Sequence, residues 1–142
     1  MTSGDYIAAI DRITAGTMVE ALGVRLTAIG DGSATGELDY REDLRQPTGL
    51  FHAGAILALA DSVATCAAMS LVFPSGELDL ARFPLAIQTN SNLVGNAAGG
   101  KLIATAETVH SGRTTIVVET KVRHDGGKLV AAISTTLLVP LR

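Results

Sequence analysis

Residues 53–72 read AGAILALADSVATCAAMSLV, and this stretch decides the fold. Ala and Leu dominate it, and both favour helix over strand. Apolar side chains surround the predicted helix axis, the pattern of a helix buried on all sides. About 20 mostly apolar residues also suffice to cross a bilayer. Asp61, Ser62, Thr65 and Ser70 interrupt this run, however, and no Lys or Arg flanks it closely. The reading is therefore a core helix of a soluble protein, with no membrane span.

Outward from that helix, the remaining elements supply what wraps it. Residues 3–22 predict a helix, with Ser3 as cap, Tyr6, Ile7, Ile10, Ile13 and Met18 as a ragged apolar stripe, and Gly23 as terminator. Residues 24–40 predict a hairpin in which Val24, Leu26 and Ala28 alternate with polar neighbours around a Gly30-Asp31-Gly32 turn. Beyond the central helix, strands are expected near 85–94, 101–110, 113–124 and 128–139. Ser111-Gly112 and Asp125-Gly126-Gly127 mark tight turns. In the third of these strands Ile116, Val118 and Val122 point one way, while Arg113, Glu119, Lys121 and Arg123 point the other. A sheet with one apolar face must cover it. The expectation is one α+β domain over residues 1–142, a four-stranded antiparallel meander and a hairpin wrapped around one helix.

Composition narrows the function. Net charge is -3 with no basic cluster, which argues against nucleic acid. Cys66 is the only cysteine, so no intrachain disulfide forms, as suits a reducing cytoplasm. The N-terminus has no signal-peptide pattern. Aromatic residues make up only 4%. A core of small aliphatic residues gains little energy per residue, so burial against a second subunit would help.

Asp61 is the only Asp, Glu, Lys or Arg from residue 52 to residue 76. A carboxylate inside an apolar helix is costly unless it is used or paired. It is the leading catalytic candidate, against a purely structural role in fixing helix register. Thr65 lies one turn later on the same face and could orient Asp61 or a water. At the helix start, Ala53 and Gly54 leave room for close approach to free backbone N–H groups, which can stabilise an oxyanion. His52 could act as a base, but a structural hydrogen-bonding role fits its position better. Arg113, beside Ser111 and Gly112, is a candidate for binding an anion. No G-x-S-x-G elbow occurs, and the His and Cys residues lack metal spacing. Gly95–Lys101 imitates a phosphate loop but leads into a strand, so it reads as a turn.

Gln46, Gly49, His52-Ala53-Gly54, Leu59-Ala60-Asp61 and Thr65 together resemble the signature of hotdog-fold acyl-CoA thioesterases of the phenylacetate-degradation (PaaI-like) type. The acidic residue stands nine positions after the His, as in that pattern; Ala53 replaces its first Gly. The resemblance implies a dimer whose sheets join, often paired into a homotetramer. It implies that the Ala53 N–H polarises the thioester carbonyl and that Asp61 of the partner subunit is nucleophile or general base. Gln46 would bind substrate or water, and Thr65 would assist. Coenzyme A is part of the substrate, and neither metal nor further cofactor is expected. A non-catalytic acyl-CoA sensor and a hotdog dehydratase or hydratase are the alternatives.

Overall fold

A computed structural model describes residues 2–141. The N-terminal segment forms two helices rather than one, α1 (Ser3–Thr14) and α2 (Met18–Leu22). They separate at Ala15–Thr17, where Gly16 takes a φ of 76°. Thr2, not Ser3, caps α1: its hydroxyl accepts from the Asp5 N–H, and the Asp5 carboxylate accepts from the Thr2 N–H, both at 3.1 Å. Ser3 instead accepts from the Ile29 N–H. Gly23 ends α2 in the left-handed region, as expected.

The hairpin consists of β1 (Arg25–Gly30) and β2 (Ser33–Asp39). Its two-residue turn, Asp31-Gly32, has positive φ at both positions, which matches the right-handed twist of the flanking strands. A bulge between Leu26 and Ala28 changes the phase of β1, so Ile29 is the buried residue and Ala28 is exposed. Ala34, Gly36 and Leu38 of β2 face inward.

The helix α3 spans Ala53–Val72, the predicted boundaries. The strands β3 (Leu85–Leu93), β4 (Lys101–Ser111), β5 (Thr115–His124) and β6 (Leu129–Leu138) follow. They do not form a four-stranded meander. The sheet order is β1-β2-β4-β5-β6-β3, so only β4, β5 and β6 are consecutive neighbours. β3 crosses to the far edge and pairs antiparallel with β6. Alternation along a strand reveals which face is buried but not which strand lies alongside, and that is why the sequence misplaces β3.

This six-stranded antiparallel sheet curves around α3, giving the hotdog arrangement. Ile56, Leu59, Ala60, Val63 and Ala67 fill the space between them. α3 has the length and mean hydropathy, 1.9, of a membrane span, but most of its residues are packed inside the protein. The Tyr6 hydroxyl lies 2.8 Å from the Met69 carbonyl and 2.9 Å from that of Phe73, pinning α1 to the C-terminal end of α3.

Candidate active site

The approach to α3 is built from backbone contacts. The Gln46 N–H donates to the Leu50 carbonyl at 2.8 Å, and the Gly49 N–H to the Gln46 carbonyl at 2.9 Å. Gly49 turns the chain at a φ of 91°. The Tyr40 hydroxyl holds its carbonyl at 2.7 Å. Asn96 grips Phe51 twice, accepting from its N–H and donating to its carbonyl. Gly95–Lys101 is thus a structural connection, as expected of a turn. The Gln46 side-chain oxygen accepts from the Thr48 N–H, which leaves its Nε2 without an acceptor among the described residues.

His52 is the N-cap of α3: its Nδ1 accepts from the Gly54 N–H at 2.7 Å. In the neutral ring this places the proton on Nε2. A Cβ on Gly54 would stand 2.9 Å from Nδ1, so glycine is needed here for the ring's approach rather than a ligand's. The Gly54 N–H is consequently unavailable to an oxyanion. The Ala55 N–H is also taken, by the His52 carbonyl at 2.9 Å. The Ala53 N–H, at the first helical position, has no acceptor among the described residues, and Ala53 is exposed. Ala53 has ordinary helical backbone, so its conformation does not require glycine at this position.

Asp61 differs from expectation. It is exposed on the chain rather than enclosed, because the sheet leaves one flank of α3 open. Apolar surroundings still disfavour its charge and raise its pKa above the ordinary value of 3.8. Its carboxylate has neither a hydrogen-bond donor nor a cation partner among the described residues. Asp61 and Thr65 line one groove between α1, β1 and α3, with a volume of about 220 Å³. Ile10, Ile13, Val24, Leu26, Met69 and Phe83 supply its apolar walls. Cys66 also borders it. Burial, reinforced by the negative charge of Asp11, pushes the Cys66 thiol up to about 12, so it is no thiolate nucleophile at neutral pH.

The expected residues therefore fall into three places. Gln46, His52, Ala53 and Gly54 gather at the start of α3. Asp61 and Thr65 lie midway along it. Ser111, Gly112 and Arg113 form the β4–β5 turn, at the sheet end where Gly32 packs against Leu71 and Thr108, near the last turn of α3. The Gly112 N–H donates to the Thr115 carbonyl at 2.8 Å to close that turn, so it is not free to bind an anion. Asp11 and Phe83 complete the groove; the sequence carries no signal for them, since a carboxylate on an amphipathic helix looks like any solvated one and a lone Phe like any core residue. Among the described residues, no group of three or more His, Cys, Asp or Glu side chains could hold a metal.

A family model described as "Thioesterase superfamily" matches residues 48–131, more than half of the chain and including all of α3. The chain belongs to the thioesterase superfamily. This thioesterase is 28% identical over 120 residues to a 1,4-dihydroxy-2-naphthoyl-CoA hydrolase of Listeria monocytogenes, covering 84% of this chain and 93% of that protein. Its fold matches a crystal structure of a thioesterase from Pseudomonas aeruginosa with a TM-score of 0.82 and 26% identity, over 95% of this chain and 94% of the other. It also matches the phenylacetic acid degradation protein PaaI of Thermus thermophilus, with a TM-score of 0.74 and 26% identity over 86% and 97% of the two chains. The thioesterase is thus a hotdog-fold thioester hydrolase of the kind that the signature in residues 46–65 implied.

Proposed function

We propose that the thioesterase hydrolyses acyl-CoA at a site shared between two subunits, with the Ala53 N–H of one and Asp61 of the other acting on the same carbonyl. The observation that carries this reading is a separation. Ala53 and Asp61 are eight residues apart on one helix, about 12 Å along its axis at 1.5 Å per residue. One thioester carbonyl cannot contact both groups of the same chain. Each group is nevertheless suited to half of the reaction. The Ala53 N–H is an unused donor at the positive end of a 20-residue helix, and Asp61 is an unpaired carboxylate in an apolar groove.

In the reaction, the thioester oxygen accepts a hydrogen bond from the Ala53 N–H, which withdraws charge from the carbonyl carbon. Asp61 takes a proton from a water as its oxygen bonds to that carbon. The tetrahedral intermediate collapses with cleavage of the C–S bond, and the CoA sulfur leaves with the electron pair and takes up a proton. In the covalent variant, Asp61 itself attacks and a water later hydrolyses the mixed anhydride. The Thr65 hydroxyl and the free Gln46 amide are placed in the roles of orienting the water and substrate. His52 and Gly54 support the site by holding the cap. Arg113, with Ser111 beside it, contacts the CoA phosphates from a neighbouring subunit that brings this turn to the site.

The edge strand β3 supplies the means of pairing. Leu85, Ile87, Leu93 and Val94, on or next to it, are each between 44% and 63% exposed, and its outer backbone groups have no strand partner among the described residues. An open edge with a polar middle and apolar residues at both ends invites another strand. We assign the dimer contact to β3, with a tetramer as a further pairing of dimers.

Asp61→Asn tests the reading. The substitution keeps size and removes the charge. Acyl-CoA binding and assembly should persist, while kcat for release of free CoA thiol falls by roughly 10² to 10⁴, the range for losing a general base. A folded variant with wild-type turnover would remove Asp61 from the mechanism.

A further inference from the structure

The groove that contains Asp61 holds a second carboxylate that the mechanism does not use. Asp11 on α1 lines it between Ile10 and Ile13, facing the Cys66 side of α3. Among the described residues its carboxylate has no cation within ion-pair distance and no hydrogen-bond donor; the Thr14 hydroxyl donates to its backbone carbonyl at 3.3 Å. α1 is a fixed wall, held to α3 through Tyr6, so Asp11 is a constant feature of the groove. Cys66 lies five residues beyond Asp61, about 7.5 Å further along the helix and about 140° around its axis, and both border the groove. An extended six-carbon acyl group reaches about 6 to 7 Å from its carbonyl to its last carbon, given bonds of about 1.5 Å. Asp61, Cys66 and Asp11 all border the groove, so an acyl chain reacting at Asp61 and running down it is directed toward Asp11. At about 220 Å³ the groove has room for it; a cavity of about 150 Å³ already admits benzene.

Resting on the hydrolase reading above, we infer that this groove receives an uncharged acyl group and that Asp11 is a specificity-determining residue that excludes acyl groups carrying a terminal carboxylate. The walls are aliphatic, and an acyl carboxylate brought there would exchange part of its hydration for apolar surface and be set against the exposed, like-charged Asp11. A terminal ammonium meets the opposite sign and is tolerated.

The test compares hexanoyl-, adipoyl- and 6-aminohexanoyl-CoA, three six-carbon acyl groups with neutral, negative and positive ends. Wild-type kcat/KM should favour hexanoyl over adipoyl by roughly 10- to 100-fold, as expected for like charges meeting in a partly desolvated site. In Asp11→Asn the ratio should fall to within about 3-fold, and in Asp11→Lys the preference between adipoyl and 6-aminohexanoyl should reverse. A hexanoyl-to-adipoyl ratio unchanged in both variants overturns the inference and leaves the hydrolase reading intact. Binding of S-hexyl-CoA and S-(5-carboxypentyl)-CoA, thioethers that cannot be hydrolysed, separates the two ideas. If no thioester is turned over, yet wild type prefers the uncharged thioether and Asp11→Asn does not, the hydrolytic reading falls and the groove inference stands. If neither turnover nor preference appears, both fall.

Discussion

At the scale of single residues, Asp61 connects stability to chemistry. Its native pKa lies above the ordinary 3.8 because its surroundings oppose the charge. Between the unfolded and native values, the folded chain holds more protons than the unfolded one. Stability contributed by this group is therefore full below pH 3.8 and is lost as pH rises through the native value. Asp61→Asn removes the dependence. Denaturation midpoints should show the variant more stable than wild type at neutral pH, with the difference vanishing below the unfolded pKa. A less stable variant at neutral pH would mean that Asp61 has a favourable partner in the assembled protein. The acid limb of the kcat profile should likewise lie above 3.8. Asp61 was legible in the sequence because one charge interrupts an otherwise apolar run. Asp11 was not, because carboxylates on the polar side of a surface helix are ordinary; only the docking of α1 against α3 turns this one into a groove.

At the scale of elements, the position of α3 depends on a missing side chain. A Cβ on Gly36 would come within 2.6 Å of Val63 Cγ2, so β2 and α3 approach as closely as they do because residue 36 is glycine. The start of α3 offers a sharper experiment. Proline is well tolerated at the first helical position, where its fixed φ fits and its absent N–H breaks no helix bond. His52 has φ -63° and ψ 137°, the extended conformation favoured before proline. Ala53→Pro should thus preserve helix content by circular dichroism while deleting the proposed oxyanion donor. Turnover should drop by roughly 10²- to 10³-fold; undiminished turnover would place that donor elsewhere. The bounds of α3 could be read from residue types, since its composition changes abruptly at both ends. The break between α1 and α2 has a local signal in Gly16, whose φ of 76° leaves the helical region; the bulge in β1 and the crossing of β3 have none, because each depends on contacts between segments distant in sequence.

For the whole molecule, assembly and activity are coupled by the 12 Å that separates donor from carboxylate. Ile87 is 57% exposed on the edge strand, so replacing it hardly disturbs the single chain. Ile87→Lys places a charge where two copies of β3 would meet. Sedimentation should show a folded monomer, and activity per chain should fall with it. A fully active Ile87→Lys monomer would overturn the shared site. The hotdog wrap follows from one long apolar helix and several one-sided strands. The pairing edge does not, because β3's exposure depends on its place in the sheet order rather than on its own residues.

The order of elements also matters while the protein is being made. α3 is synthesised before β4, β5 and β6, which supply most of the sheet that covers it. At about 5 to 20 residues per second, those strands arrive some seconds later. During that interval the nascent chain displays a helix with the length and hydropathy of a bilayer anchor. Asp61 sits near its midpoint, where an aspartate raises the cost of insertion by about 3 kcal/mol. The same carboxylate proposed to attack or activate water thus biases the unfinished chain against the lipid phase.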